Sequence, residues 1–181
     1  MGTEIDIDDT RQLRDAFGRF TTGIVIVTTD VGGERIGATV SSFNSVSLAP
    51  PLVSFCIARN ARAMAAWETA PGFAVSVLSR TQSHLSTQFA RSLGDKWSGV
   101  GTRPASCVDA PLIEGALMWF ECETYARYDG GDHLIILGRV VAAEAGRSVE
   151  PLLFFGGAYR HLAPRMEHEH VSRDDMWLHA W

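Results

Sequence analysis

The sequence lacks any long apolar run, and apolar stretches such as GALMWF and HLIILG have only the length of a strand. A membrane-spanning helix needs about 20 apolar residues, so we expect no membrane segment. The acidic N-terminal stretch MGTEIDIDDTRQL has neither a basic n-region nor an apolar h-region, and it predicts no secretory signal. A cytoplasmic protein is therefore expected.

Basic residues and paired cysteines are also scarce. The 16 Lys and Arg are outnumbered by 21 Asp and Glu, which gives a net charge of -5. Proteins that bind nucleic acid usually carry a basic patch, so nucleic acid is not an expected partner. The cysteines Cys56, Cys107 and Cys122 form no CxxC pair, and this spacing fits neither a zinc site nor a disulfide framework.

Several common catalytic motifs are absent as well. The chain has no GxGxxG after a strand, no GxxxxGK[ST], no HExxH and no GxSxG. The usual phosphate cradles and nucleophile elbows therefore have no support. His168 and His170 in the C-terminal stretch would supply two ligands where a zinc site usually has three or four, so no metal site is predicted.

What the sequence does contain is enough apolar side chain for one core: 181 residues, 46% of them hydrophobic. Asp9 begins an amphipathic helix over residues 10–20 that we expect to lie across a sheet. Strand-like runs GIVIVTT and IGATVSSFNSVSL flank a glycine turn, and ARAMAAWET and SHLSTQFARS are typical of short helices. The segment 93–109 reads as a long surface loop.

The C-terminal half supplies three more predicted strands, ALMWFECETYARY, HLIILGRVVAAEA and the short PLLFFGG. The first two are joined across DGGD, which is a strong hairpin signal. Many strands with a few short helices predict a mainly β protein, a closed or nearly closed antiparallel barrel with short flanking helices.

The stretch GATVSSFNSVSLAPPLVSFCIA has a strand pattern on both sides of two prolines. Polar side chains nevertheless stand where a core strand would carry Val or Ile, at Thr39, Ser41, Ser42, Asn44 and Ser45. The residues alone leave two interpretations open, the polar face of a half-exposed strand or the wall of a binding site.

Taken in order, several segments resemble the short-chain flavin reductases, the flavin-reductase-like family with an FMN-binding split barrel. They are FGRFTTGIVIVTT, GATVSSFNSVSLAPPLVSFCIA, SVLSRTQSHLSTQFA, DKWSGV, GDHLIILGRV and PLLFFGGAYRHL. The resemblance covers roughly residues 11–162, so we expect a split-barrel domain at 1–162 and a C-terminal extension at 163–181.

The resemblance implies that FMN or FAD binds along the polar stretch, where short side chains let backbone N–H groups reach a flat ring. The implied flavin-binding residues are Thr39, Val40, Ser41, Ser42, Cys56, Ile57, Ala58, Arg59, Asn60, Arg62, Ser83, Gln88 and Lys96. The chain departs from the family at Ala61 and Arg62, where hydroxyl residues are usual. The Arg62 guanidinium and a helix N-terminus near Ala61 could hold a phosphate instead. Because of this departure, the sequence does not decide between FMN and FAD as the cofactor.

The resemblance also implies a site for the nicotinamide of NADH or NADPH. Its implied residues are Ser42, His133, Phe154, Phe155 and Tyr159. Plainer roles remain open for several residues: solvated charge for Arg59 and Arg62, core packing for one phenylalanine, loop anchoring for Lys96 with Trp97, and helix capping for Ser83. Hydride transfer needs stacked rings more than an acid–base pair, so no catalytic residue is assigned.

The implied function is an NAD(P)H:flavin oxidoreductase that supplies reduced flavin to a separate oxygenase component. Family members are typically homodimers, and a homodimer is expected here. The alternatives are a split barrel that binds flavin without turnover, and an oxidoreductase whose tightly bound flavin acts directly on another acceptor.

Overall fold

The computed structural model describes residues 2–147 and 150–163. Antiparallel strands dominate, which confirms the predicted mainly β class. The helices are α1 (Thr10–Phe17), α2 (Met64–Thr69) and α3 (Ser83–Ala90). The strands are β1 (Thr22–Gly23), β2 (Val25–Val31), β3 (Glu34–Val40), β4 (Asn44–Leu48), β5 (Pro51–Ala58), β6 (Gly72–Val77), β7 (Thr102–Pro104), β8 (Pro111–Ile113), β9 (Met118–Gly130), β10 (His133–Ala145), β11 (Leu153–Phe155) and β12 (Ala158–Arg160).

The main sheet has seven strands in the order β3-β2-β6-β9-β10-β5-β4. Its two terminal strands follow each other in the chain, and the connection between them reaches β5 through Ser42, whose Oγ accepts a hydrogen bond from the Cys56 N–H at 2.9 Å. The sheet therefore curves back toward itself without a continuous ladder between β3 and β5. This is the split barrel that the sequence predicts.

One apolar core fills the inside of the curved sheet. Alternate side chains of β5, Val53, Phe55 and Ile57, point inward and meet Ile36 and Val40 from the opposite edge. Such period-2 burial is what a strand with one core face requires. Each large apolar side chain in this core contributes about 1.5–3 kcal/mol by leaving water.

A second apolar cluster lies outside the barrel, under α3. Ile24 and Ile26 turn to this side while their neighbours Val25 and Val27 face the inner core. Because the first part of β2 is buried on both faces, residues 24–27 form a continuous apolar run rather than an alternating one. Phe89 of α3 covers this face, which places the helix beside β3.

The first helix differs from its prediction in length and packing. Asp9 does cap it, accepting hydrogen bonds from the N–H groups of Arg11 and Gln12. The helix ends at Phe17 rather than residue 20, and the predicted packing across a sheet is wrong, since no residue of α1 is buried. Phe17 and Phe20 keep 70% and 74% of their surface exposed.

The predicted hairpins are confirmed at DVGGER and DGGD, where Gly32, Gly33 and Gly131 have positive φ angles. Two other predictions were too coarse. The 93–109 loop contains β7, which pairs with β8, and the PLLFFGG segment is the start of a hairpin, β11 with β12. Short strands of this kind carry too little periodicity to be recognised in sequence.

No helix among the described residues has the length and apolar composition that crossing a membrane requires. The C-terminal histidines His168 and His170, and all but the first residue of the predicted extension, lie outside those residues.

Candidate functional site

A cleft of about 1080 Å³ opens where the barrel is split. It is bounded by β3 and its continuation to Ser42, by the end of β5 with the turn that follows, and by the segment 89–97 after α3. The residues predicted to bind ligand that line it are Thr39, Val40, Ser41, Ser42, Cys56, Ile57, Ala58, Asn60, Arg62, Lys96 and His133. The fold therefore brings most of the predicted site together.

The polar side chains of the opening stretch hold the walls of the cleft in place. The Thr39 hydroxyl donates to the Ser86 carbonyl at 2.7 Å and so ties β3 to α3. Ser42 accepts from the Cys56 N–H and so ties the same strand to β5. Ser41 lies between these two junctions and is exposed to the cleft. The polar residues thus join the β3 side of the cleft to α3 at Thr39 and to β5 at Ser42.

One end of the cleft, which we call the lysine end, is formed by Lys96, Gly37 and Phe89. The Lys96 ammonium donates to the carbonyls of Gly37 and Phe89 at 3.1 and 3.0 Å. Partial burial lowers the pKa of Lys96 because desolvation disfavours the charged form. An anionic group placed here would offset that cost, so the lysine end suits a phosphate.

Contacts with α3 and β3 fix the loop that carries Lys96. The Gln88 amide donates to the carbonyls of Lys96 and Ser98, both at 2.9 Å. The Trp97 indole N–H donates to the Arg35 carbonyl at 3.0 Å, and the Arg35 guanidinium stands 4.7 Å from the centre of that ring. The predicted anchoring role of Lys96 and Trp97 agrees with these contacts. Gln88 lies outside the cleft lining, behind the loop.

The other end, which we call the histidine end, is lined by Ala58 and His133, and Asp132 lies next to His133 outside the lining. His133 begins β10 and is paired in register with Ala58. Its Nδ1 lies 2.6 Å from a carboxylate oxygen of Asp132, and this hydrogen bond lowers the pKa of Asp132. With Nδ1 engaged, Nε2 is the ring nitrogen left for a ligand.

The turn after β5 differs from its prediction. Helix α2 begins at Met64 with Ala63 as its N-cap, so the predicted helix N-terminus near Ala61 is wrong. The N–H of Ala61 donates to the Ala58 carbonyl in a turn. Arg62 is exposed on the cleft lining, and any phosphate contact there would come from its guanidinium alone.

Arg59, Ser83, Phe154, Phe155 and Tyr159 lie outside the lining of the cleft in a single chain. The aromatic residues belong to the β11–β12 hairpin, which packs against α3: the Tyr159 hydroxyl donates to the Ser86 hydroxyl at 2.9 Å.

The helix-capping interpretation of Ser83 is wrong. Gln82 occupies the N-cap of α3, and Ser79 instead caps the preceding 3-10 turn, Arg80–Gln82, in a capping box with Gln82.

Sequence reasoning missed the residues that let β3 approach α3. A Cβ on Gly37 would lie 2.5 Å from the Phe89 ring, so a glycine is required at this point of close approach. Arg35 and Trp97, which pair across the same wall, are 62 positions apart. No local pattern connects residues at that separation, although the glycine inside a strand pattern was a usable signal.

A slot walled by two strands, with a cation at one end and an imidazole at the other, can hold a flat ring system that carries a phosphate. Comparison with known proteins agrees with this geometry. The family model described as "Flavin reductase like domain" matches residues 17–163.

Named relatives cover most of the chain. It is 40% identical over 168 residues to a probable flavin reductase of Rhizobium meliloti, a match that spans 92% of this chain and 53% of the relative. The chain thus accounts for about half the length of that protein. It is 35% identical over 170 residues to HsaB of Mycobacterium tuberculosis, the reductase subunit of a flavin-dependent monooxygenase, with 93% and 90% of the two chains covered.

A solved structure shows the same fold. The NADH:FAD oxidoreductase SgcE6 of Streptomyces globisporus, in complex with NAD and FAD fragments, superimposes with a TM-score of 0.86 at 40% identity. The match covers 90% of this chain and 98% of that one.

Proposed function

The chain belongs to the flavin reductase like domain family, and on that premise we propose that it is an NADH-dependent flavin reductase that supplies reduced flavin to a monooxygenase component. NADH gives a hydride to oxidised FAD or FMN, and NAD⁺ and reduced flavin leave. The reductase subunit HsaB and the SgcE6 structure in complex with NAD and FAD fragments support this assignment of activity, cofactors and partner.

The observation that carries the proposal is the slot between β3 and β5. The Thr39 and Ser42 hydroxyls join its β3 side to α3 and to β5, and Lys96 and His133 both line it. The donor set fits a flavin: a half-buried ammonium suits the phosphate, and small side chains along β3 suit the ring edge.

In this arrangement the chain acts by positioning. A bound flavin would supply the hydride acceptor, and holding its ring stacked on the nicotinamide at about 3–3.5 Å is what the chain would have to achieve. The polar stretch Thr39–Ser42 orients the flavin ring, and Lys96 holds its phosphate, with Arg62 beside the cleft as a second cation. His133 presents Nε2 to the nicotinamide, and Asp132 keeps the imidazole in the required orientation. No side chain is required to move a proton in the hydride step.

The proposed flavin residues outside the cleft lining, Ser83 and Gln88, would act by supporting it. Phe154, Phe155 and Tyr159 sit on the β11–β12 hairpin outside the cleft lining, and we propose that they contact the nicotinamide bound in the cleft of a second chain. A homodimer is therefore part of the proposal. We further assign residues 1–162 to the reductase domain and 163–181 to an extension, in a protein of the cytoplasm, where NADH is available.

The test is the initial rate of NADH and NADPH oxidation with purified protein, with and without added FMN, FAD or riboflavin. Flavin-dependent oxidation of NADH is expected, with release of reduced flavin. A chain that binds flavin without oxidising either nucleotide would instead be a binding module. A yellow protein that oxidises NADH only with another acceptor would carry tightly bound flavin.

A further inference from the structure

Arg59 directs its donor groups to the turn between β9 and β10. Its backbone N–H donates to the Asp132 carbonyl at 2.8 Å, and its Nε–H donates to the Gly131 carbonyl at 3.0 Å. Its guanidinium also forms an ion pair with Asp129. All these acceptors lie in the segment 129–132, immediately before His133.

This turn has little rigidity of its own. Gly131 and Asp132 join the paired residues Gly130 and His133, and Gly131 has a φ of 73°. Consecutive glycines have the largest backbone freedom of any residues, so contacts from outside the turn must restrict it. Arg59 supplies such contacts, and Asp132, the residue it holds, bonds Nδ1 of His133.

The position of Arg59 speaks against a direct contact with flavin. Its neighbours Ala58 and Asn60 line the cleft, whereas Arg59 does not. The ion pair with Asp129 is also exposed, with 42% and 78% of the two side chains accessible. An exposed pair of this kind adds little stability, so its consequence is the geometry it imposes on the turn.

We propose that Arg59, together with Asp129, is a positioning residue that fixes the Gly131–Asp132 turn and thereby aims the imidazole of His133 at the nicotinamide. The inference rests on the proposed role of His133 in binding NADH. It replaces the predicted contact of Arg59 with flavin by an action on the other substrate.

The experiment compares Michaelis constants for NADH and for flavin in R59A, D129N and the double variant. R59A and D129N should each raise the NADH constant roughly three- to tenfold through a small misplacement of His133, and leave the flavin constant within about twofold. The NADH constant of the double variant should be no higher than that of R59A. R59K, which keeps a cation for Asp129, should recover part of the loss.

Arg139→Ala is the matched control. It breaks the exposed Arg139–Glu123 ion pair, which joins β10 to β9 at 2.5 Å and lies far from the turn along both strands. Both of its Michaelis constants should equal those of the parent protein. A raised flavin constant in R59A, or a normal NADH constant in D129N beside a raised one in R59A, would show that Arg59 acts on a ligand directly.

Nitrogen NMR of the His133 ring supplies a readout without turnover, with its signals assigned by their loss in H133A. The ring ¹⁵N shifts should move in R59A and D129N and stay fixed in R139A. Unchanged shifts in R59A would overturn the positioning role even if the parent protein oxidised no NADH. Absent oxidation with moved shifts would overturn only the proposed function.

Discussion

The two ends of the cleft are built by opposite means. At the lysine end, a half-buried ammonium is held by the carbonyls of Gly37 and Phe89, and its loop is fixed by Gln88 and Trp97. At the histidine end, the imidazole is 43% exposed and depends on Asp132, which is almost fully exposed.

The difference indicates what each end binds. A desolvated cation is costly until an anion arrives, so the lysine end gains most from a phosphate. An exposed imidazole that its neighbours hold in one direction contributes more to orienting a ligand than to binding it tightly. This suits a nicotinamide, which must stack in one geometry and then dissociate. The two ends should therefore respond differently to substitution.

The largest effect is expected for Lys96→Met. It removes the ammonium and leaves the Gly37 and Phe89 carbonyls without their donor. FMN should bind about 10- to 100-fold more weakly, since a hydrogen bond to a charged group contributes about 1.5–3 kcal/mol. Flavin fluorescence titration measures this, with riboflavin as the control ligand. Equal weakening of riboflavin, which lacks the phosphate, would show a general loss of structure instead.

A smaller and more selective effect is expected for His133→Ala. The NADH Michaelis constant should rise about tenfold because the ring that orients the nicotinamide is lost, while the flavin constant changes little. Steady-state rates at varied NADH and at varied flavin give both numbers. A parallel rise in the two constants would count against the assignment of this end to nicotinamide.

Between the two ends, Ser42→Ala tests the hydrogen bond that joins the continuation of β3 to β5. Loss of the acceptor for the Cys56 N–H should lower the free energy of unfolding by about 1 kcal/mol. It should also raise the flavin constant by about threefold, because the walls lose their fixed spacing. Ser45→Ala, at an exposed position outside the cleft lining, is the control and should change neither quantity.

The smallest effect on kinetics is expected for Glu121→Gln, far from both ends. Burial disfavours the Glu121 carboxylate, but hydrogen bonds from Ser106 and Cys107, with the charge of Arg103, hold its pKa below its ordinary value of 4.5. Because the pKa of Glu121 is lower in the folded than in the unfolded protein, its carboxylate stabilises the fold fully at pH values above 4.5. That contribution is lost as the pH falls through the folded-state pKa.

The free energy of unfolding of the variant should therefore be about 1–3 kcal/mol lower at neutral pH, with both Michaelis constants unchanged. It should also lose less of its remaining stability than the parent protein as the pH falls below 4.5. Urea unfolding at several pH values checks this, and identical pH profiles for the two proteins would contradict it.

The sequence predicted the larger elements and the cleft residues that belong to one strand and its neighbour. Thr39–Ser42 and Cys56–Ala58 fall in strong strand patterns on either side of a turn, so their proximity followed from local signals. The predicted contacts of Arg59 depended on the direction of one side chain after a strand end. Sequence periodicity carries no information about that direction. The Arg59 side chain is oriented by its contact with Asp129, 70 positions away in the sequence.

The helix boundaries were harder still. Placing a helix N-terminus near Ala61 rested on composition, but the actual start at Met64 depends on a turn closed by the Ala58 carbonyl. The predicted packing of α1 against a sheet was wrong for a related reason. An apolar periodicity shows which face of a helix could be buried, but it does not show which element covers that face.

The assignment of one substrate to each end of the cleft is tested most directly by measuring the NADH and flavin Michaelis constants side by side in the parent protein, K96M and H133A. A crossed pattern is predicted, with the flavin constant raised in K96M and the NADH constant raised in H133A. Parallel changes of both constants in the two variants would contradict a cleft with one end for each substrate.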